Sequence, residues 1–384
     1  MNVLIVAGAR PNFMKVAPVI AALRRRAHPA LLVHTGQHYD EGMSDVFFRD
    51  LEIAAPDYHL GVGSGSHAVQ TARVMEAFEP VLREVRPDWL VVVGDVNSTL
   101  ACALVAAKLR PELGCRVAHV EAGLRSGDWR MPEEVNRVLT DRLADLLLTP
   151  SHDALPNLLA EGIDPARVAF AGNVMIDTLR AQLAAARALD MPGRLGLRKG
   201  GYVLVTLHRP SNVDDPGALA AVLDALARIA GELPVVFPVH PRTRSRIEAF
   251  GVGGDAAALH LLDPLGYREM LSLTDGAAVV LTDSGGLQEE TTALGVPCVT
   301  LREQTERPVT ISHGTNRLAP WPLTRGGVYD AFRQALDSRG AVPAGPEGWD
   351  GHAAERIVDA LEGHAPSPTP VGEPRDAARA EVPA

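Results

Sequence analysis

Three carboxylates and two imidazoles stand where this sequence could do acid–base chemistry. Asp95 lies in GDVNST, Glu121 in HVEAGLRS and Glu133 in PEEVNR, while His208 lies in TLHRPSN and His240 in VHP. All but Glu133 follow an apolar run, and therefore sit where a strand ends and a helix or loop begins; Glu133 lies in the first turn of a helix after the loop that follows Glu121. Taken singly, each has a plainer reading. Asp95 or Asn97 could cap the following helix, Glu133 could serve the helix dipole, and either histidine could be structural. Taken together, carboxylates gathered at neighbouring strand ends should raise one another's pKa, which makes acid–base catalysts of them.

Anion-binding types occupy other strand ends. Arg10 in GARPN precedes a helix that carries Lys15, where a phosphate could meet a helix N-terminus, although Arg10 could also be a surface residue. In LTDSGGLQEE, Ser284, Gly285 and Gly286 open a helix whose backbone N–H groups form a ready anion site. Glu289 and Glu290, one turn on, could reach ribose hydroxyls or serve the dipole. Arg307 follows in TERP, and Arg209 follows His208. The first turn lacks GxGxxG, so no dinucleotide fingerprint is present. No metal-ligand cluster is spaced for zinc. We therefore expect neither metal nor nicotinamide.

The elements that must position these residues read as an α/β chain. Short apolar runs at Val3–Ala7, 31–34, Trp89–Val93, Arg116–Val120, 146–148 and Val168–Phe170 alternate with helical spacing, as at 68–85 and 99–109. That alternation means βαβ units and a parallel sheet. The pattern pauses over 173–200, then resumes with runs at 202–207, 234–239, 259–262, 277–281 and 298–301. We expect an N-terminal Rossmann-like domain over 1–175 with the carboxylates, a C-terminal one over 176–362 for the nucleotide, and a disordered Pro- and Ala-rich tail over 363–384.

Bulk properties narrow the classes. The 384 residues carry a formal net charge of -10, which speaks against nucleic acid as a partner. No apolar run is long enough to span a membrane. The N-terminus reads as a first strand rather than a signal peptide, so the cytoplasm is the expected compartment. Cys102, Cys115 and Cys298 form no C-x-x-C pair and read as core.

In order, GARP, TGQH, GD, HVEAGLRS, MPEE-x-NR, GN-x-x-ID, TLHR, HPR, TDSGG-x-QEE and TERP resemble the non-hydrolysing UDP-N-acetylglucosamine 2-epimerase family over roughly residues 1–320. The resemblance implies the GT-B architecture, a homodimer, and interconversion of UDP-GlcNAc and UDP-ManNAc. It implies catalysis by Asp95, Glu121, Glu133 and His208. It implies nucleotide-sugar contacts from Arg10, Lys15, Ser284, Gly285, Glu290 and Arg307. The implied route eliminates UDP to a glucal and re-adds it after protonation from the other face, which needs a base, an opposed acid and a cationic clamp. Which carboxylate is the base stays open. A hydrolysing branch, a silent nucleotide-sugar binder and a glycosyltransferase are the rival readings. Three departures stand out: Asn12 where the family has Glu, Pro210 and Ser211 after HR, and Tyr39-Asp40-Glu41-Gly42-Met43 after TGQH. The last two, by adding acid and removing a cation, lead us to expect no activating second UDP-GlcNAc.

Overall fold

The computed structural model describes residues 1–37, 54–252, 259–340 and 344–364; the Tyr39–Met43 departure and residues 365–384 of the expected disordered tail fall outside it, as does the side chain of Arg10, while Gly363, expected to open that tail, ends the last helix instead. The first half runs β1 (Val3–Ala7), α1 (Arg10–Arg25), β2 (Ala30–His34), β3 (Tyr58–His59), α2 (His67–Val85), β4 (Trp89–Val93), α3 (Asn97–Leu113), β5 (Arg116–Val120), α4 (Pro132–Leu143), β6 (Leu146–Thr149) and β7 (Val168–Phe170). These strands form one parallel sheet in the order β3-β2-β1-β4-β5-β6-β7. Both faces carry helices, so β1 (VLIVA) and β4 (WLVVV) are buried along their whole length. That is why they read as continuous apolar runs rather than alternating ones.

A 16-residue helix, α5 (Val174–Leu189), leads into the second half. There β8 (Val203–Thr206), α6 (Pro216–Ala230), β9 (Val235–Pro238), α7 (Pro241–Phe250), β10 (His260–Leu262), α8 (Tyr267–Gly276), β11 (Val279–Thr282), α9 (Gly285–Leu294), β12 (Cys298–Thr300), β13 (Asn316–Leu318) and α10 (Arg325–Asp337) follow. The second sheet is also parallel, ordered β10-β9-β8-β11-β12-β13. This is the expected GT-B architecture of two Rossmann-like sheets facing a cleft. Residues 173–200, expected only as a crossing between halves, fold mainly as α5. Two short strands, β3 and β13, are additions to the expected set.

The last helix, α11 (Ala353–Gly363), returns to the first half. Ile357, Val358 and Leu361 join the core of α1 and β1. Asp177 of α5 holds the start of α11 by accepting the backbone N–H groups of Ala353 (3.1 Å) and Ala354 (2.7 Å). Arg25 and Arg26 of α1 reach Glu355 and Glu362 on its outer face. All three cysteines are buried and free. Among the described residues, no helix is long and apolar enough to cross a membrane.

Candidate active site

In a doubly wound sheet, ligands bind beyond the carboxyl ends of the strands, where the strand order reverses. The reversals here fall between β1 and β4 and between β8 and β11. Those four ends carry the Arg10–Lys15 turn, Asp95, His208 and Ser284, so the winding itself brings them to one place. A cleft of about 740 Å³ opens there. Lys15, Asp95, Glu133, His208, Arg209, His240, Ser284, Gly285, Gly286, Glu289 and Arg307 line it. Of the expected site residues with described side chains, Glu121 and Glu290 are not on its wall.

Glu121 lies just beneath it. One carboxylate oxygen pairs with Lys15 Nζ and the other accepts from Arg307 Nη2 at 2.9 Å. Its backbone is in the left-handed region, φ 72°, which a non-glycine residue holds only where its surroundings enforce it. Arg307 extends the network across the second half, pairing with Glu289 (2.8 Å) and Glu306. Two glycines make room for these cations. A Cβ at Gly94, where φ is 65°, would sit 2.8 Å from Lys15 Nζ, and one at Gly285 would sit 2.6 Å from Arg307 Nη1.

Asp95 does not cap α3. The cap position is Val96 and makes no side-chain cap bond, while Asn97 hydrogen-bonds Gln70. Asp95 instead pairs with Arg137 Nη2 at 2.6 Å. Arg137 is itself buried and also holds Glu134 at 2.7 Å. At Asp95 these pairings run against the expectation that clustered carboxylates raise one another. Burial would push the Asp95 carboxyl up, but Arg137, then Lys15 and Arg307, pull it below the usual range. Asp95 faces cations drawn from distant segments, so there opposite charge outweighs like charge.

Glu289 on the cleft wall does move up, to about 7, through burial and the nearby Glu121 charge and against the pull of Arg307, and so does Glu290. It is buried on α9 against Tyr267, and burial pushes it to about 7. An unfolded glutamate ionises near 4.5, so folding takes up a proton between 4.5 and 7. This group's contribution to stability therefore falls as pH rises through that window, by roughly 3 kcal/mol. Glu290→Gln cannot ionise. Its stability relative to the native chain should rise by about that amount between pH 4 and pH 8, read by denaturant titration; a difference independent of pH would contradict the buried, protonated state.

Several residues of the site went unassigned in the sequence although their motifs were visible. Arg137 ends MPEE-x-NR, Glu306 sits inside TERP, and Asp283 opens DSGG. Glu306 is buried among Arg302, Arg307, Arg137 and Arg209. Burial opposes its ionisation, yet those guanidinium groups hold it far below the usual range. His119, buried on β5, ties Asp141 (2.6 Å) to the Gly94 carbonyl (2.8 Å) and so fixes the turn that presents Asp95. Two departures from the family pattern also find a local reason. Asn12 Oδ1 accepts the N–H groups of Gly8 and Ala9, each at 3.0 Å, and its amide donates to Val93 O. Pro210 is the first residue of a short helix, where a missing N–H costs nothing.

The chain is similar to known proteins over most of its length. The family model for UDP-N-acetylglucosamine 2-epimerase matches residues 21–362. A UDP-N-acetylglucosamine 2-epimerase of Methanococcus maripaludis is 42% identical over 82% of this chain and 87% of its own length. A UDP-2,3-diacetamido-2,3-dideoxy-D-glucuronate 2-epimerase of Pseudomonas aeruginosa is also 42% identical, over 94% of this chain and 99% of its own. The crystal structure of the Methanocaldococcus jannaschii UDP-GlcNAc 2-epimerase with UDP-GlcNAc and UDP superposes with a TM-score of 0.86 at 38% identity, covering 94% of this chain and 99% of that one.

Proposed function

Since the chain belongs to the UDP-N-acetylglucosamine 2-epimerase family, we propose that it interconverts UDP-GlcNAc and UDP-ManNAc by elimination and re-addition of UDP, without releasing free sugar. One observation carries this reading. Asp95 and Glu133 line the same cleft as His208, Arg209, Arg307 and the start of α9. That places proton-transfer groups opposite an anion clamp, as loss of UDP from a sugar requires.

The chemistry assigns each side. A carboxylate of the first half takes the proton from carbon 2. The carbon 1–oxygen bond breaks with its electron pair leaving on UDP, and a carbon 1–carbon 2 double bond forms. Arg307, Arg209, His208 and the N–H groups at Ser284–Gly286 stabilise the charge that collects on the departing diphosphate. Protonation of carbon 2 from the opposite face, with re-addition of UDP at carbon 1, gives the epimer. Asp95 suits a base, because Arg137 keeps it ionised. Glu121, held between Lys15 and Arg307 just beneath the cleft, and Glu133 on its wall are the remaining acid–base candidates. The reading keeps the homodimer and the cytoplasmic location expected from the sequence.

Proton NMR of the protein with UDP-GlcNAc in deuterium oxide tests it. Deuterium should enter carbon 2 of both epimers, and no free N-acetylmannosamine should accumulate. Epimerisation with the original proton retained would rule out elimination; accumulation of free sugar with UDP would move the enzyme to the hydrolysing branch.

A further inference from the structure

His208 stands at the end of β8 with its ring half exposed in the cleft, and what lies behind it is unlike the rest of the site. The side chain of Asp283, fully buried at the end of β11, meets His208 Nδ1 with Oδ1 at 2.8 Å. The same carboxylate gathers three further donors. Oδ2 accepts the backbone N–H of His208 (3.0 Å), the backbone N–H of Arg209 (2.9 Å) and the side-chain amide of Asn212 (3.1 Å). Burial pushes the Asp283 carboxyl up, but these donors, His208 foremost, hold it below the usual range. It is an anion fixed in place by its own strand turn.

Resting on the proposed role of His208 at the diphosphate, we propose that Asp283 is a positioning residue that, with His208, forms a carboxylate–imidazole dyad holding a proton on Nδ1, so that the ring keeps both protons and presents Nε2–H to the cleft as a charged donor that is never transferred. The geometry is that of the hydrolase triads, where a buried carboxylate sets the tautomer and steadies the imidazolium as it forms. Here the proton on Nε2 serves the leaving diphosphate. As the carbon 1–oxygen bond breaks, Nε2–H donates to the oxygen that collects negative charge, and the imidazolium is neutralised from behind by Asp283. During re-addition the same contact relaxes. No group is consumed, and the histidine ends in the state in which it began.

The hydrogen-bond pattern makes Asp283→Asn a sharp test. Three donors converge on Oδ2, so an asparagine must place its carbonyl oxygen there. Its NH₂ then occupies the position of Oδ1 and donates to His208 Nδ1. The turn survives, because its acceptor survives, but the ring loses the proton on Nδ1 and is left neutral. The protonation of each ring nitrogen can be read by long-range ¹H–¹⁵N correlation on the full-length, ¹⁵N-histidine-labelled protein, with His208→Gln assigning the signal. We expect Nδ1 protonated in the native chain and bare in Asp283→Asn. Turnover should fall by at least ~100-fold, the scale on which acid–base groups and triad carboxylates act. Affinity for UDP should fall by less than about tenfold, because a neutral Nε2–H still donates to the ground-state diphosphate.

Two results would overturn the dyad: Nδ1 protonated equally in both proteins, or a bare Nδ1 in Asp283→Asn with turnover unchanged. The native spectrum alone supplies a check that needs no substitution at 283. A proton shared between Nδ1 and a buried carboxylate resonates far downfield, and that signal should vanish in His208→Gln. Absence of the signal from the native chain would refute the pairing. If the protein failed to epimerise UDP-GlcNAc at all, the function would be wrong while the protonation measurement would still decide the dyad.

Discussion

Glu121→Gln should lower turnover by at least ~100-fold, the usual scale for losing an acid or base group, and should also lower stability. Polar residues at strand ends commonly carry little of the core, so their substitution leaves most folds intact. For Glu121 the structure argues otherwise. Its carboxylate is buried between Lys15 and Arg307. A glutamine there leaves two buried cations undercompensated and aims an NH₂ at one of them. Breaking a buried pair typically costs ~3–5 kcal/mol, a large part of the ~5–15 kcal/mol that holds a domain together. Glu133→Gln is the control. Glu133 opens α4 at the cleft wall and makes no ion pair among the described residues. It should lose turnover on the same scale with little change in stability. The pair of variants, compared by deuterium exchange and denaturant titration, separates the two effects. Near-native turnover in either would remove that residue from the chemistry.

Arg307→Ala should weaken UDP binding by roughly tenfold to a hundredfold, the worth of one charge-assisted phosphate contact. The guanidinium does not wait free for the nucleotide. It pairs with Glu121, Glu289 and Glu306, so a diphosphate must compete with carboxylates for it. Removing the arginine therefore does two things: it deletes a ligand contact and leaves three buried carboxylates facing one another. The second effect should lower stability by several kcal/mol. Arg307→Lys separates the effects, because it restores charge without the fork and should recover stability more than affinity. Calorimetric titration with UDP measures the affinity. Unchanged affinity in a folded Arg307→Ala would take this residue out of the nucleotide site.

How much of this was legible in the sequence depends on distance along the chain. The parallel sheets could be read because β1, β4, β5 and β8 are unbroken apolar runs bounded by helices. The tips could be read because GD, HVEAG, TLHR and TDSGG follow those runs directly. β3 has two residues and β13 reads Asn-Arg-Leu, so neither presents an apolar run. The charge balance was the larger miss. Glu121 and Arg307 are 186 residues apart, and Asp95 and Arg137 are 42 apart. A sequence displays the carboxylates but not the cations that folding sets between them, so Asp95 was assigned the wrong direction of shift. Glu290 illustrates the converse. Its upward shift comes from burial, which a motif that could equally face solvent does not reveal.

The return of α11 to the first half has a mechanical consequence. The chain passes between the halves twice, once through α5 and once on the way to α11, and the two crossings are bolted to each other where Asp177 grips the start of α11. Two struts joined side by side along one edge resist twist and slide while leaving rotation about that edge soft. Rotation about that edge is therefore the motion the two crossings leave least opposed. Such a rotation would bring Arg307 back to the same place over Glu121, so the alignment of clamp and carboxylates would be set by the spine rather than found anew by each substrate.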